Sequence, residues 1–127
     1  VELLEFEAIG TEWRVETPEK LGLDVAAAVA ARIEHFDHTW SRFRADSLVT
    51  RIATTPGTHA FPPEAPALFA LYRSIYEATD GAVNPLVGRS MERLGYDAAY
   101  SLQPSGPARP APAWDDAIAW NGESLTT

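Results

Sequence analysis

Between Asp24 and Phe43 the large apolar residues Val25, Val29, Ile33, Phe36, Trp40 and Phe43 follow one another at intervals of 4, 4, 3, 4 and 3. That rhythm keeps all six on one side of a helix, with alanines filling the other positions, and such a stripe must be covered by something. Asp24 is the expected cap, and the helix is expected to end near Thr39 or Trp40. A chain of 127 residues buries about 65% of its unfolded surface on folding, enough for one domain with a core. With 46% hydrophobic and 22% charged residues, the composition is neither that of a disordered chain nor that of a membrane protein. No apolar run approaches the roughly 20 residues that a membrane helix needs.

Before this helix the pattern has a period of two. Leu4, Phe6 and Ala8 alternate with Glu5 and Glu7, and Trp13 and Val15 alternate with Arg14 and Glu16. Both stretches read as half-buried strands, with Gly10 and Thr11 interrupting the extended pattern as a bulge or close backbone approach would. After the helix, SRFRADSLVTRIATTPGTH reads as a loop with a short helical turn begun at Asp46 or Ser47, closed by the Pro56–Gly57 turn. Pro62 and Pro63 pre-set a second helix carrying Leu68, Leu71, Tyr72, Ile75 and Thr79, and Gly81 supplies its stop. A short helical piece with Met91 and Leu94 ends at Gly95. Residues 103–113 hold four prolines and one glycine and read as a connector. Asn121–Gly122, between two extended pieces, is a strong hairpin signal. Its returning strand has only Glu123 to Thr127, so the expectation is an α+β fold, an antiparallel sheet with flanking helices, that forms an incomplete half of a larger one.

Eighteen acidic residues against ten basic ones give a formal charge of −8. That balance repels a phosphate backbone, and the basic residues form no run, so nucleic acid is not expected as a partner. A phosphate-bearing ligand in so acidic a chain calls for a metal cation to bridge like charges. The absence of cysteine rules out disulfides, thiol catalysis and cysteine-ligated metals. His35 and His38 are close enough to share a helix face, but they match no helical zinc signature and no third ligand is evident; a solvated face beside Phe36 is the simpler reading. No GxSxG, GxGxxG or GxxxxGK[ST] pattern occurs. The start, VELLEFEAIG, has no basic region and no cleavage site, so a cytoplasmic location is expected, or a periplasmic or membrane-anchored one if a signal segment was removed.

Three short stretches remain, each at the end of a regular element: IGTEW, SRFRADS and TDGAVNPLVG. Each alone is an ordinary turn. As an ordered set, spread over nearly the whole chain, they resemble the N-terminal half of the ApbE family of flavin transferases. Members carry Met-Gly-Thr before a strand, here Ile9, Gly10 and Thr11. They carry Ser-x-Tyr or Ser-x-Phe after the first long helix with a second serine beyond, here Ser41, Phe43 and Ser47. They carry Thr-x-Gly-Ala-Phe-Asp-Pro past the second helix, here Thr79, Gly81, Ala82, Val83, Asn84 and Pro85.

The resemblance implies that residues 1–127 are the FAD-contacting N-terminal part of an FAD:protein FMN transferase, moving FMN from FAD to a threonine hydroxyl of a target protein. It implies a flavin pocket that includes Ile9, Gly10, Phe43, Ala82, Val83 and Asn84. Asn84 stands where the family has Asp, exchanging an acceptor oxygen for a donor amide. The family's DLGGIAKG-like segment and the late residues that bind magnesium do not occur in residues 1–127, so neither catalytic residues nor Mg2+ ligands are expected here. Two alternatives belong beside this reading, a non-catalytic FAD-binding module and an FAD hydrolase relative. Apolar surface left over in a half-fold implies self-association.

Overall fold

The computed structural model describes residues 1–127. The chain divides into two compact units, Val1–Arg51 and Ile52–Thr127, and each is described by itself.

In the first unit, β1 (Glu2–Ala8) and β2 (Thr11–Thr17) form a two-stranded antiparallel sheet. The register pairs Leu4 with Val15 and Phe6 with Trp13, so these four share one face, while Leu3 lies on the other across from Glu16. Phe6 and Trp13 stack with ring centroids 6.3 Å apart and planes 4° from parallel. On the opposite face Arg14 pairs with Glu5 at 2.8 Å, while Glu7 and Glu12 stand directly across from each other. The strands join through Ile9 and Gly10, both at positive φ (54° and 71°), the pattern of a type I′ turn. The interruption expected at Gly10 and Thr11 is therefore a two-residue turn one position earlier, and Thr11 belongs to the ladder opposite Ala8.

Helix α1 runs from Leu23 to Trp40 with Val29, Ile33, Phe36 and Trp40 half-buried, whereas Val25 is exposed and Phe43, expected on the same stripe, lies in the turn beyond the helix end. Its cap is Gly22, not Asp24, which lies inside the first turn where a carboxylate favours the helix dipole. The missing side chain at Gly22 leaves room for that carboxylate: a Cβ there would stand 2.5 Å from Asp24 Oδ1. Helix α2 (Leu48–Thr54) carries the chain past the division between the units. Ser47, 1% exposed, caps it by accepting the Thr50 backbone N–H at 3.1 Å.

The second unit is built on aromatic packing. Strands β3 (Thr58–Ala60), β4 (Ala119–Trp120) and β5 (Ser124–Thr126) form an antiparallel sheet ordered β3-β5-β4. Helices α3 (Ala65–Ala78), α4 (Gly88–Arg93) and α5 (Trp114–Ala117) complete the unit. Ala65, Phe69, Trp114 and Leu125 are buried. Phe69 lies 5.3 Å from the Phe61 ring, 4.6 Å from Trp120 and 6.2 Å from Trp114, and the edge-on geometries among them suit aromatic quadrupoles. The covered face of α3 is thus Ala65, Leu68, Phe69, Ile75 and Tyr76, whereas Leu71 and Tyr72, expected on the apolar stripe, are exposed.

The α+β class with antiparallel strands holds, with two separate sheets in place of one. Strand β5, the short returning strand of the late hairpin, is the central strand of its sheet. The late hairpin also turns one residue further on than Asn-Gly would place it. Ala119 pairs with Thr126 and Trp120 with Leu125, so the turn centres on Gly122 and Glu123, with only Gly122 at positive φ (101°). Asn121 serves instead as a side-chain clamp, its Oδ1 accepting the backbone N–H groups of Glu123 and Ser124.

Candidate functional site

Of the six residues expected to face a flavin, Ile9, Gly10 and Phe43 belong to the first unit and Ala82, Val83 and Asn84 to the second. Ile9 projects from the hairpin turn with 46% of its surface exposed. A β-branched residue in the left-handed region is strained, and only the closing geometry of the hairpin holds it there. A shallow groove of about 240 Å³ runs beside it, with Ala8, Ile9, Ala30 and Ile33 for its apolar lining and Glu7, Glu34 and Asp37 for its polar one.

At the exit of α1 the chain folds back through polar contacts. Ser41 Oγ accepts the Phe43 backbone N–H at 3.3 Å. The Phe43 ring carries the Arg42 guanidinium 4.2 Å from its centroid, a cation–π contact on one face. Next to it Arg44 draws in three carboxylates: Glu34 at 2.8 Å, Asp46 at 2.9 Å and Asp37 at 3.2 Å. The hydrogen bond from Arg44 holds the Asp46 carboxyl well below its ordinary range, at about 2, and the same partners raise the guanidinium. At this fold-back, then, a guanidinium supplies the counter-charge for the three carboxylates that converge on it.

His38 Nε2 stands 3.7 Å from Asp46 on the exposed side of α1, and His59 contacts the Thr55 carbonyl. No group of three or more His, Asp or Glu side chains is arranged to hold a metal ion. No helix is long and apolar enough to cross a membrane.

In the second unit the stretch TDGAVNPLVG wraps the end of α3. Gly81, at φ 78°, donates its N–H to the Tyr76 carbonyl and lies against the Tyr76 ring, where a Cβ would meet ring carbons at 3.4 Å. Asp80 is left-handed as well. The Thr79 hydroxyl donates to the Ile75 carbonyl and accepts the Val83 N–H at 3.0 Å, folding the loop back on the helix. Ala82 and Val83 are thereby turned outward, Val83 with 43% of its surface exposed. Asn84, half-buried, uses both ends of its amide: Oδ1 accepts the Leu86 N–H at 2.9 Å and Nδ2 donates to the Pro112 carbonyl at 2.9 Å.

The proline-rich stretch 103–113 has no helix or strand of its own, yet it is pinned. Ser105 N donates to the Arg93 carbonyl, Arg93 Nε donates to Pro107, and Asn84 holds Pro112. Gly106 has no side chain because the Arg93 guanidinium occupies that space, 2.7 Å from where a Cβ would be. Beyond the connector, Arg73 grips Asp115 with two hydrogen bonds, at 2.7 and 3.1 Å, and holds its carboxyl below the ordinary range. The Asn84–Pro112 tie went unread in the sequence, where the one local signal, Asn before Pro, announces only a turn.

The ApbE family model matches residues 9–120, which includes all six residues. The chain belongs to the ApbE family. Solved structures agree on its fold. The ApbE protein of Thermotoga maritima is 20% identical with a TM-score of 0.75, the Vibrio cholerae flavin transferase ApbE 15% with 0.73, and the apo Pseudomonas stutzeri flavinyl transferase ApbE 18% with 0.70. Each comparison covers 98% of this ApbE-family chain, which spans 44%, 44% and 46% of those proteins respectively. No curated protein sequence matches it.

Proposed function

We propose that this chain is the flavin-contacting portion of an FAD:protein FMN transferase. The observation that carries the reading is the family match across residues 9–120, which takes in all three of the loops at the ends of elements. In the proposed reaction the hydroxyl oxygen of a target threonine bonds to the FMN phosphorus of FAD. The bond from that phosphorus to the bridging oxygen breaks, AMP leaves with the oxygen, and the hydroxyl proton passes to solvent.

The contribution of these residues is binding and orientation. The exposed side chains of Ile9 in the first unit and Val83 in the second are each apolar surfaces of the kind that suits a flat heteroaromatic ring. Phe43 can share its ring with a ligand only at the positions that Arg42 leaves uncovered. Residues 1–127 assemble no metal ligand set, and the magnesium implied by the family is assigned to none of them.

Calorimetric titration of FAD into the chain, with and without Mg2+, tests the reading. Saturable binding in the micromolar range that does not change with Mg2+ is the expected result. A chain that takes up no FAD under either condition has no flavin-contacting role.

A further inference from the structure

Asn84 is the point where this chain departs from the family's Asp, and both ends of its amide are in use. Leu86 N–H requires an oxygen and the Pro112 carbonyl requires a donor, so only one orientation of the carboxamide satisfies both. A carboxylate could serve Leu86 but would set a negative oxygen against the Pro112 carbonyl. Pro112 lies two residues before Trp114, whose ring is buried against Phe69 and whose N–H donates to the Tyr76 hydroxyl. Tyr76 in turn is the ring on which Gly81 rests. Loop 79–87, the connector and the aromatic core therefore form a closed circuit of contacts in which Asn84 is the link between loop and connector.

We infer that Asn84 is a positioning residue: it acts through Pro112, locking the outward turn of Ala82 and Val83 to the proline-rich connector, and an Asp at this position undoes the lock. The flavin side of this inference rests on the functional reading above; the lock itself does not. The lock also accounts for the departure from the family residue, since only the amide supplies the donor that this connector needs.

Asn84→Asp and Asn84→Ala, compared with the parent chain by amide hydrogen exchange and FAD calorimetry, test it. In Asn84→Asp the Leu86 amide should stay protected, because a carboxylate oxygen still accepts it, while the Trp114 amide exchanges up to about tenfold faster, the scale of one lost hydrogen bond. In Asn84→Ala both amides should lose protection. FAD affinity should fall about tenfold in both variants, and the neutral alanine variant separates loss of the lock from repulsion between a new carboxylate and the FAD phosphates. FAD should slow Trp114 exchange in the parent chain and do so less in either variant, because coupling between two sites is reciprocal.

Unchanged Trp114 exchange in Asn84→Asp overturns the lock. Faster exchange with undiminished FAD affinity in both variants overturns the link from lock to flavin loop. A parent chain that binds no FAD overturns the functional reading instead, and the exchange rates still decide the lock.

Discussion

The two units hold themselves together by different physics. In Ile52–Thr127 a cluster of aromatic rings surrounds Phe69, and the buried residues Ala65, Phe69, Trp114 and Leu125 are all apolar. In Val1–Arg51 the buried residues are Thr39 and Ser47, both polar, and the fold-back after α1 is a set of hydrogen bonds and ion pairs centred on Arg44. Burial of apolar area has no protonation dependence, whereas ion pairs are lost on protonation and screened by salt. The second unit is thus expected to be the sturdier, and the first to respond more to solution conditions.

The sharpest way to break this contrast is Phe69→Ala. It removes the ring shared by Phe61, Trp114 and Trp120 and should lower the stability of the second unit by about 3–5 kcal/mol. Amide exchange should then quicken throughout β3, β5 and α3, with the β1–β2 hairpin unaffected. Equal loss in both units would show that the apolar core serves the first as well. A smaller effect belongs to Ser47→Ala, which removes the cap of α2 and should cost about 1 kcal/mol in urea titration, as N-cap losses do; no change would mean that Thr50 caps the helix through its own hydroxyl.

The mildest is a pH effect. Asp46 has its carboxyl lowered from an ordinary 3.8 to about 2, so its contribution is present above about pH 4 and is lost as pH falls through about 2. Asp46→Asn should flatten that part of the acid profile, followed by the fluorescence of Trp40 in the same unit. A profile identical to that of the parent chain would mean that the Arg44 cluster gains nothing from Asp46.

The same contrast shows in what could be read from the sequence. Periodicity exposed α1, α3 and the first hairpin because each is long enough to repeat its pattern. It placed Leu71 and Tyr72 on the wrong side of α3, since a stripe does not say which neighbouring residues will be covered. Strand β3, with three residues, and α5, with four, are too short to carry any period and are held by partners far along the chain. Turn composition and turn position part in both hairpins: Asn121–Gly122 has the composition of a type I′ turn and is not one, whereas Ile9–Gly10 lacks that composition and is. Register and closing contacts outweigh the preference of a single residue. The site loops were legible as ends of elements, but the Asn84 tie joins residues 28 apart and leaves no local trace.

Strand β5 occupies the middle of its sheet, and its Thr126 meets Thr58 across 68 residues. The hairpin of the first unit closes across neighbours, an event of microseconds. The sheet of the second must first bring together distant stretches of chain, and such closure is slow because its entropy is lost before the contacts reward it. During synthesis the first unit can take shape while β3 still waits for the strand that will lie between it and β4, a period in which its aromatic neighbours are open to the wrong partners.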